Sequence, residues 1–128
     1  MDIVNRDDIE LLVNEFYTAI REDALLGPIF NGVIGDRWPY HLEKMYSFWE
    51  TVLLAHHTYS GAPFMPHARL PLEKHHFDRW LQLFDQTVDR HFEGAIADDA
   101  KARAAKMAVM FRSKIDYLRD NGHMRPLV

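Results

Sequence analysis

The strongest constraint on this chain is a spacing. Apolar side chains recur at intervals of three and four along four long stretches, and nowhere do they alternate as a half-buried strand requires. Over 8–22 the face is Ile9, Leu12, Val13, Phe16, Tyr17 and Ile20, with Asn5, Asp7 and Asp8 supplying capping oxygens and negative charge. Over 37–57 one stripe is His41, Met45, Phe48, Trp49 and Val52, and a second is Trp38, Leu42, Leu53 and Leu54. A helix so widely apolar is buried on more than one side. Asp36 is its expected cap, with Pro39 in the first turn. A third helix is predicted from Glu73 to His91, carrying Phe77, Trp80, Leu81, Phe84 and Val88. The fourth runs from Asp98 to Asp120 with Ala104, Met107, Ala108, Phe111, Ile115 and Leu118 inward, and Asn121-Gly122 as its stop. An all-α fold follows. With 128 residues it is one domain over 1–128, its tail from 121 frayed.

Two connections carry more information than the helices. Ala24-Leu25-Leu26-Gly27-Pro28-Ile29-Phe30-Asn31 reads as a tight apolar bend with a short turn that buries Ile29 and Phe30, and Gly32 and Gly35 flank a link to the next helix. Further on, His56 to Pro63 breaks the second helix, and Met65-Pro66-His67-Ala68-Arg69-Leu70-Pro71-Leu72 follows. Pro66 and Pro71 fix their own φ and bias the residues before them away from helix, so this segment is a loop or a helix of one or two turns. A histidine held so stiffly is a candidate metal ligand.

Composition removes several chemistries. A net charge of −4 with no basic stripe argues against a nucleic-acid partner. The absence of cysteine excludes disulfides, thiolate zinc, iron–sulfur clusters, covalently attached c-type haem and cysteine nucleophiles. The residues from Met1 to Asp8 hold no apolar signal core and no run reaches membrane-spanning length, so a cytoplasmic protein is expected. The eight histidines stand out.

Three metal sites can be weighed against those histidines. A hemerythrin-like di-iron centre needs His-x-x-x-Glu, which is missing. A ferritin-like centre needs two Glu-x-x-His motifs, and only Glu73-Lys74-His75-His76 supplies one. His-Glu-x-x-His zinc is absent as well. The pairs 56/57 and 75/76 are expected to face solvent, because adjacent helical positions do not converge. Haem asks for one neutral histidine, an apolar slot and a few donors. His67 offers the first, and Phe30, Met45, Phe48, Val52, Leu70, Phe77 and Phe111 offer walls. Tyr17, His41 and Trp80 are polar-tipped residues on apolar faces. Each also has a plainer reading as core, and on these residues alone no feature decides for haem.

The same residues carry a family likeness. Phe16-Tyr17, Leu26-Gly27-Pro28-Ile29-Phe30-Asn31, Trp38-x-x-His41, Phe48-Trp49, Leu53-Leu54, Gly61-x-Pro63 to His67 and His76-Phe77-x-x-Trp80-Leu81-x-Leu83-Phe84 occur in an order that resembles the truncated haemoglobins, most closely their third group. The likeness runs from about residue 5 to 120. It implies a two-over-two helical sandwich around non-covalent haem b, with the proximal helix reduced to a turn. His67 matches the proximal iron ligand, Tyr17 the distal tyrosine, Trp80 the distal-side tryptophan and His41 the distal-helix histidine. Phe30 matches the phenylalanine that packs on the porphyrin, and Lys44 and Arg79 are candidate propionate partners. Met45 departs from the branched aliphatic residue common at its position, and its flexible thioether would alter ligand access.

The likeness also implies small diatomic ligands (O₂, NO, CO). A phenol O–H and an indole N–H in a dry pocket each contribute about 1–3 kcal/mol to holding a partly negative ligand. Together they slow O₂ release by roughly tenfold to ten-thousandfold, too much for a simple carrier. The expected activity is redox chemistry, either NO dioxygenation or peroxide or nitrite reduction, with His41 as gate or proton donor and a reductase as partner. The rival expectation is a non-catalytic O₂ or NO sensor or store, and a third is a haem-free helical interaction domain. A monomer or weak homodimer is expected.

Overall fold

The computed structural model describes residues 1–56 and 72–120, with side chains through Tyr117. His67, Leu70 and the prolines around them lie outside the described residues, as do His57 and the tail from 121.

Helix α1 spans Arg6–Glu22. Asn5 caps it in extended conformation, its Oδ1 accepting the Asp8 N–H at 3.0 Å, and Asp7 and Asp8 place negative charge at the positive end of the helix dipole. All six residues of the predicted face are buried, Ile9, Leu12 and Ile20 completely. The chain turns at Asp23, whose Oδ2 accepts the N–H groups of Leu25 and Leu26 at 3.1 and 3.0 Å.

Where a short turn is expected, the structure has a full helix, α2, over Gly27–Ile34. Pro28 stands in its first turn, where the missing N–H is no loss, so Gly27-Pro28 begins a helix as well as ending one. Gly32 is an ordinary interior position of α2. Gly35 closes it with φ 58°, a left-handed conformation that suits glycine.

A 3₁₀ turn over Gly35–Arg37 leads into α3, Trp38–Leu54. Asp36 sits within that turn and does not cap α3; Arg37 holds the cap position without a side-chain bond, and the continuous helical turn before it removes the need. Helix α3 stops at Leu54, short of residue 57, because Ala55 adopts left-handed φ 58°. Helix α4 is Lys74–His91, and α5 is Ala95–Asp120, beginning ahead of the expected Asp98. The cap that starts α5 early comes from the far end of the chain. Asp2 Oδ2 and Oδ1 accept the N–H groups of Ile96 and Ala97, both at 2.9 Å.

The two long pairs, α1 with α3 and α4 with α5, cross as a two-over-two sandwich, and α1 packs on α4 at its centre. Phe16 from α1 and Phe84 from α4 meet edge to face at 5.1 Å, each 1% exposed. Burying one such side chain is worth about 1.5–3 kcal/mol. On the rim Arg6 donates to Glu50 Oε1 at 2.8 Å, tying α1 to α3 with Glu50 itself buried.

Candidate functional site

Among the described residues the sandwich leaves an apolar cavity, with about 560 Å³ of space between its atoms, open mouth included. Every helix contributes to its wall. α1 supplies Tyr17; Leu26 and Phe30 come from the corner and α2; α3 gives Met45, Phe48 and Trp49. The rest of the wall is Leu72, then His76, Phe77 and Trp80 from α4, and Met107, Ala108 and Phe111 from α5. Of the predicted site residues, Tyr17, Trp80, Phe30, Met45, Phe48, Phe77 and Phe111 are thus brought together on one space.

Tyr17 is 3% exposed, and among the described residues nothing hydrogen-bonds its hydroxyl. Burial pushes its phenol well above the ordinary tyrosine value, so the group stays a neutral O–H donor. Trp80 is half-buried, edge-on to Phe16 at 5.3 Å and stacked on Phe84 at 5.8 Å; its indole N–H also lacks a partner among the described residues. Both donor-bearing side chains line the same apolar cavity, so a polar ligand held there has two neutral donors in its wall. His41 is not part of the wall but stands against Tyr17, ring edge to ring face at 5.1 Å and 88°.

The two basic candidates lie away from the wall. Lys44 is exposed, its Nζ 4.8 Å from the centre of the Tyr40 ring. Arg79 is committed to Asp23: its Nε and one terminal nitrogen both lie 2.7 Å from Asp23 Oδ1, and its other nitrogen donates to Gln82. Burial pushes the Asp23 carboxyl up, but Arg79 and the N–H groups of Leu26 and Leu25 outweigh it and hold the carboxyl below its ordinary range. This pair clips the α1–α2 corner to α4 one residue before Trp80.

His76 corrects the expectation that the 75/76 pair faces solvent. His75 is exposed, but His76 is 8% exposed and forms part of the cavity wall. It completes a capping box in which the Glu73 side chain accepts the His76 N–H and His76 Nδ1 accepts the Glu73 N–H at 2.9 Å. The signal was legible as Glu73-x-x-His76 ahead of Phe77, with histidine in the place usually held by glutamate or glutamine. Among the described residues Glu73, His75 and His76 are also the group of side chains close enough to share a metal ion. The cap already occupies Nδ1 of His76, so this group reads as a helix start. Leu26, Trp49, Leu72, Met107 and Ala108 complete the wall and went unassigned, because periodicity marks a core face without showing where the core is hollow.

Helices crossed two over two around an apolar, aromatic cavity define a globin of shortened form. A family model described as bacterial-like globin matches residues 2–115, and the chain belongs to that family, the truncated globins. It is 31% identical over 118 residues to a group 3 truncated haemoglobin of Campylobacter jejuni, covering 89% of this chain and 93% of the relative. The crystal structure of a group III truncated haemoglobin from Campylobacter jejuni superposes with a TM-score of 0.82 at 31% identity, covering 90% of this chain and 94% of the other. Membership implies a haem cofactor and small ligands. The cavity fits that group: its walls are apolar and aromatic on all five helices and at the α1–α2 corner, and Tyr17 and Trp80 on it carry neutral donors. No helix among the described residues is long and apolar enough to cross a membrane.

Proposed function

We propose that this chain is a single haem domain over residues 1–128, carrying non-covalent haem b, that performs redox chemistry on small diatomic ligands. The leading reaction is NO dioxygenation, with peroxide or nitrite reduction as the related alternatives. The observation that carries the reading is the pair of unpartnered donors, Tyr17 O–H and Trp80 N–H, on one apolar cavity. His67 is the proposed iron ligand, and Phe30, Met45, Phe48, Leu70, Phe77 and Phe111 are the proposed walls. Lys44 and Arg79 remain the proposed propionate partners, Arg79 already oriented by Asp23.

Haem, when bound, supplies an iron that takes diatomic ligands and changes oxidation state. The protein supplies everything around it. Tyr17 holds its proton across the physiological range, so it donates to the partly negative end of a ligand and cannot repel it as phenolate. Trp80 donates from α4, and an indole N–H does not titrate. The apolar wall excludes water, which keeps both bonds strong. Tight holding suits a reaction in place better than release. Conversion of NO and O₂ to nitrate takes up one electron, which a reductase must return. His41, beside Tyr17, is the proposed gate or proton donor.

In the haem-reconstituted protein, Tyr17→Phe and Trp80→Phe should each raise the O₂ dissociation rate roughly five- to a hundredfold. Unchanged rates in both variants overturn the donor reading, and a protein with no Soret band after reconstitution overturns haem altogether. Mixing the oxygenated protein with NO should yield nitrate in a single turnover. Absence of nitrate replaces catalysis with storage or sensing.

A further inference from the structure

Because no hydrogen bond among the described residues aims the Tyr17 hydroxyl, its direction there is set by the packing of its ring. Two rings from α3 meet it. Trp38 lies at 5.7 Å between centroids, tilted by 60°, and His41 at 5.1 Å and 88°. Trp38 and His41 also meet edge-on, at 5.6 Å and 83°, so the three rings close on one another. Trp38 is the buried corner of this cluster, 4% exposed, and it is anchored twice. Its Nε1–H donates to Asn31 Oδ1 at 3.1 Å, and the Arg21 guanidinium lies over its ring at 4.6 Å. Asn31 Nδ2 in turn donates to the Arg21 carbonyl oxygen at 3.2 Å. The last turn of α1, the middle of α2 and the first residue of α3 are thereby joined in one ring of contacts.

The geometry points to Trp38 as a positioning residue: backed by Asn31 and Arg21, it fixes the Tyr17 ring and so aims the phenolic O–H into the cavity. The assignment rests on the proposed function, since it needs Tyr17 to be a ligand donor. It adds two residues, Trp38 and Asn31, that do not touch the cavity and yet govern what happens in it. A role in stability alone would lower the melting temperature and leave ligand spectra as they were.

The test uses the full-length, haem-reconstituted protein with Asn31→Leu, Trp38→Phe and Asn31→Asp, read by the C–O stretching band of the ferrous carbonyl form and by the O₂ dissociation rate. Asn31→Leu and Trp38→Phe should broaden or split the band and raise the rate roughly two- to tenfold, the worth of one hydrogen bond. Asn31→Asp keeps an acceptor for the indole and should retain the wild-type band. Wild-type band and rate in both Asn31→Leu and Trp38→Phe overturn the proposal, as does an Asn31→Asp protein that behaves like Asn31→Leu. Asn31 is exposed, so Asn31→Leu still decides if Trp38→Phe fails to fold. Tyr17→Phe, run beside them, separates the two readings. If it leaves the band unmoved, the donor reading fails; if it alone moves the band, only the positioning role fails.

Discussion

Gly27 and Gly32 lie on the same short helix and should respond to the same substitution with opposite signs. A Cβ at Gly27 would stand 2.6 Å from the Arg21 carbonyl oxygen, 3.3 Å from its carbon and 3.4 Å from the Ile20 oxygen. Carbon and oxygen ordinarily approach to about 3.3–3.6 Å, so the methyl is too close by roughly 0.7–1.0 Å. All three neighbours are backbone atoms and cannot rotate away. Either the last turn of α1 or the first turn of α2 must shift, at about 1–3 kcal/mol. For a domain of this size that is a fall in melting temperature of roughly 3–12 °C. At Gly32 nothing lies within 4 Å of the added atom, and φ is negative. Alanine there removes the entropic penalty of glycine in a helix, worth about 0.5–1 kcal/mol, and should raise the melting temperature by roughly 2–5 °C. Thermal unfolding followed by far-ultraviolet circular dichroism, on Gly27→Ala and Gly32→Ala prepared together, reads both shifts. A Gly27→Ala protein that melts at or above wild type refutes the reasoning, and so would two shifts of one sign.

Other outcomes follow from the caps and the clip. Asp2→Ala should destabilise by about 1–2 kcal/mol at pH 7 by stripping the cap from α5. The Asp2 carboxyl is held below its ordinary value chiefly by the Ile96 N–H bond, so its contribution is present above about pH 4 and is lost as pH falls through the lowered value. Urea unfolding of the two proteins should therefore converge in acid. Asp23→Asn keeps an acceptor for Leu25 and Leu26 but drops the charge facing Arg79; with Arg79 partly exposed, the loss is about 1 kcal/mol, read from the urea midpoint at pH 7. It too should shrink in acid, because the folded carboxyl value is depressed. Phe84→Ala removes the ring that Phe16, Trp49 and Trp80 all touch and should cost about 3–5 kcal/mol, enough to prevent recovery of folded protein in an expression trial at 37 °C.

The helices were legible because each buries one face, and burial imposes a period on the sequence. Phe48, Phe77 and Phe111 are legible as walls for the same reason. What the period does not show is which partner supplies a missing group. The start of α5 misled because its cap is Asp2, distant in sequence. Asp36 misled because a preceding 3₁₀ turn made a side-chain cap unnecessary. The expectation that His76 faces solvent rests on the divergence of neighbours in a helix; they do diverge, and one of the two lines the cavity. Arg79 reads in sequence as a candidate propionate partner, and its hold on Asp23 is a contact between residues that no spacing connects.

The cap on α5 has a consequence for the order in which the molecule assembles. Asp2 and Ile96 are 94 residues apart, and the Glu93 N–H closes the same junction on the Met1 carbonyl oxygen at 3.0 Å. A contact of that span repays its loop-closure entropy only after most of the chain is already compact. The first turn of the longest described helix is therefore among the last parts to become native. The two halves of the sandwich are latched there, and a truncation that removes the residues before Asn5 would leave the latch open however well the helices form.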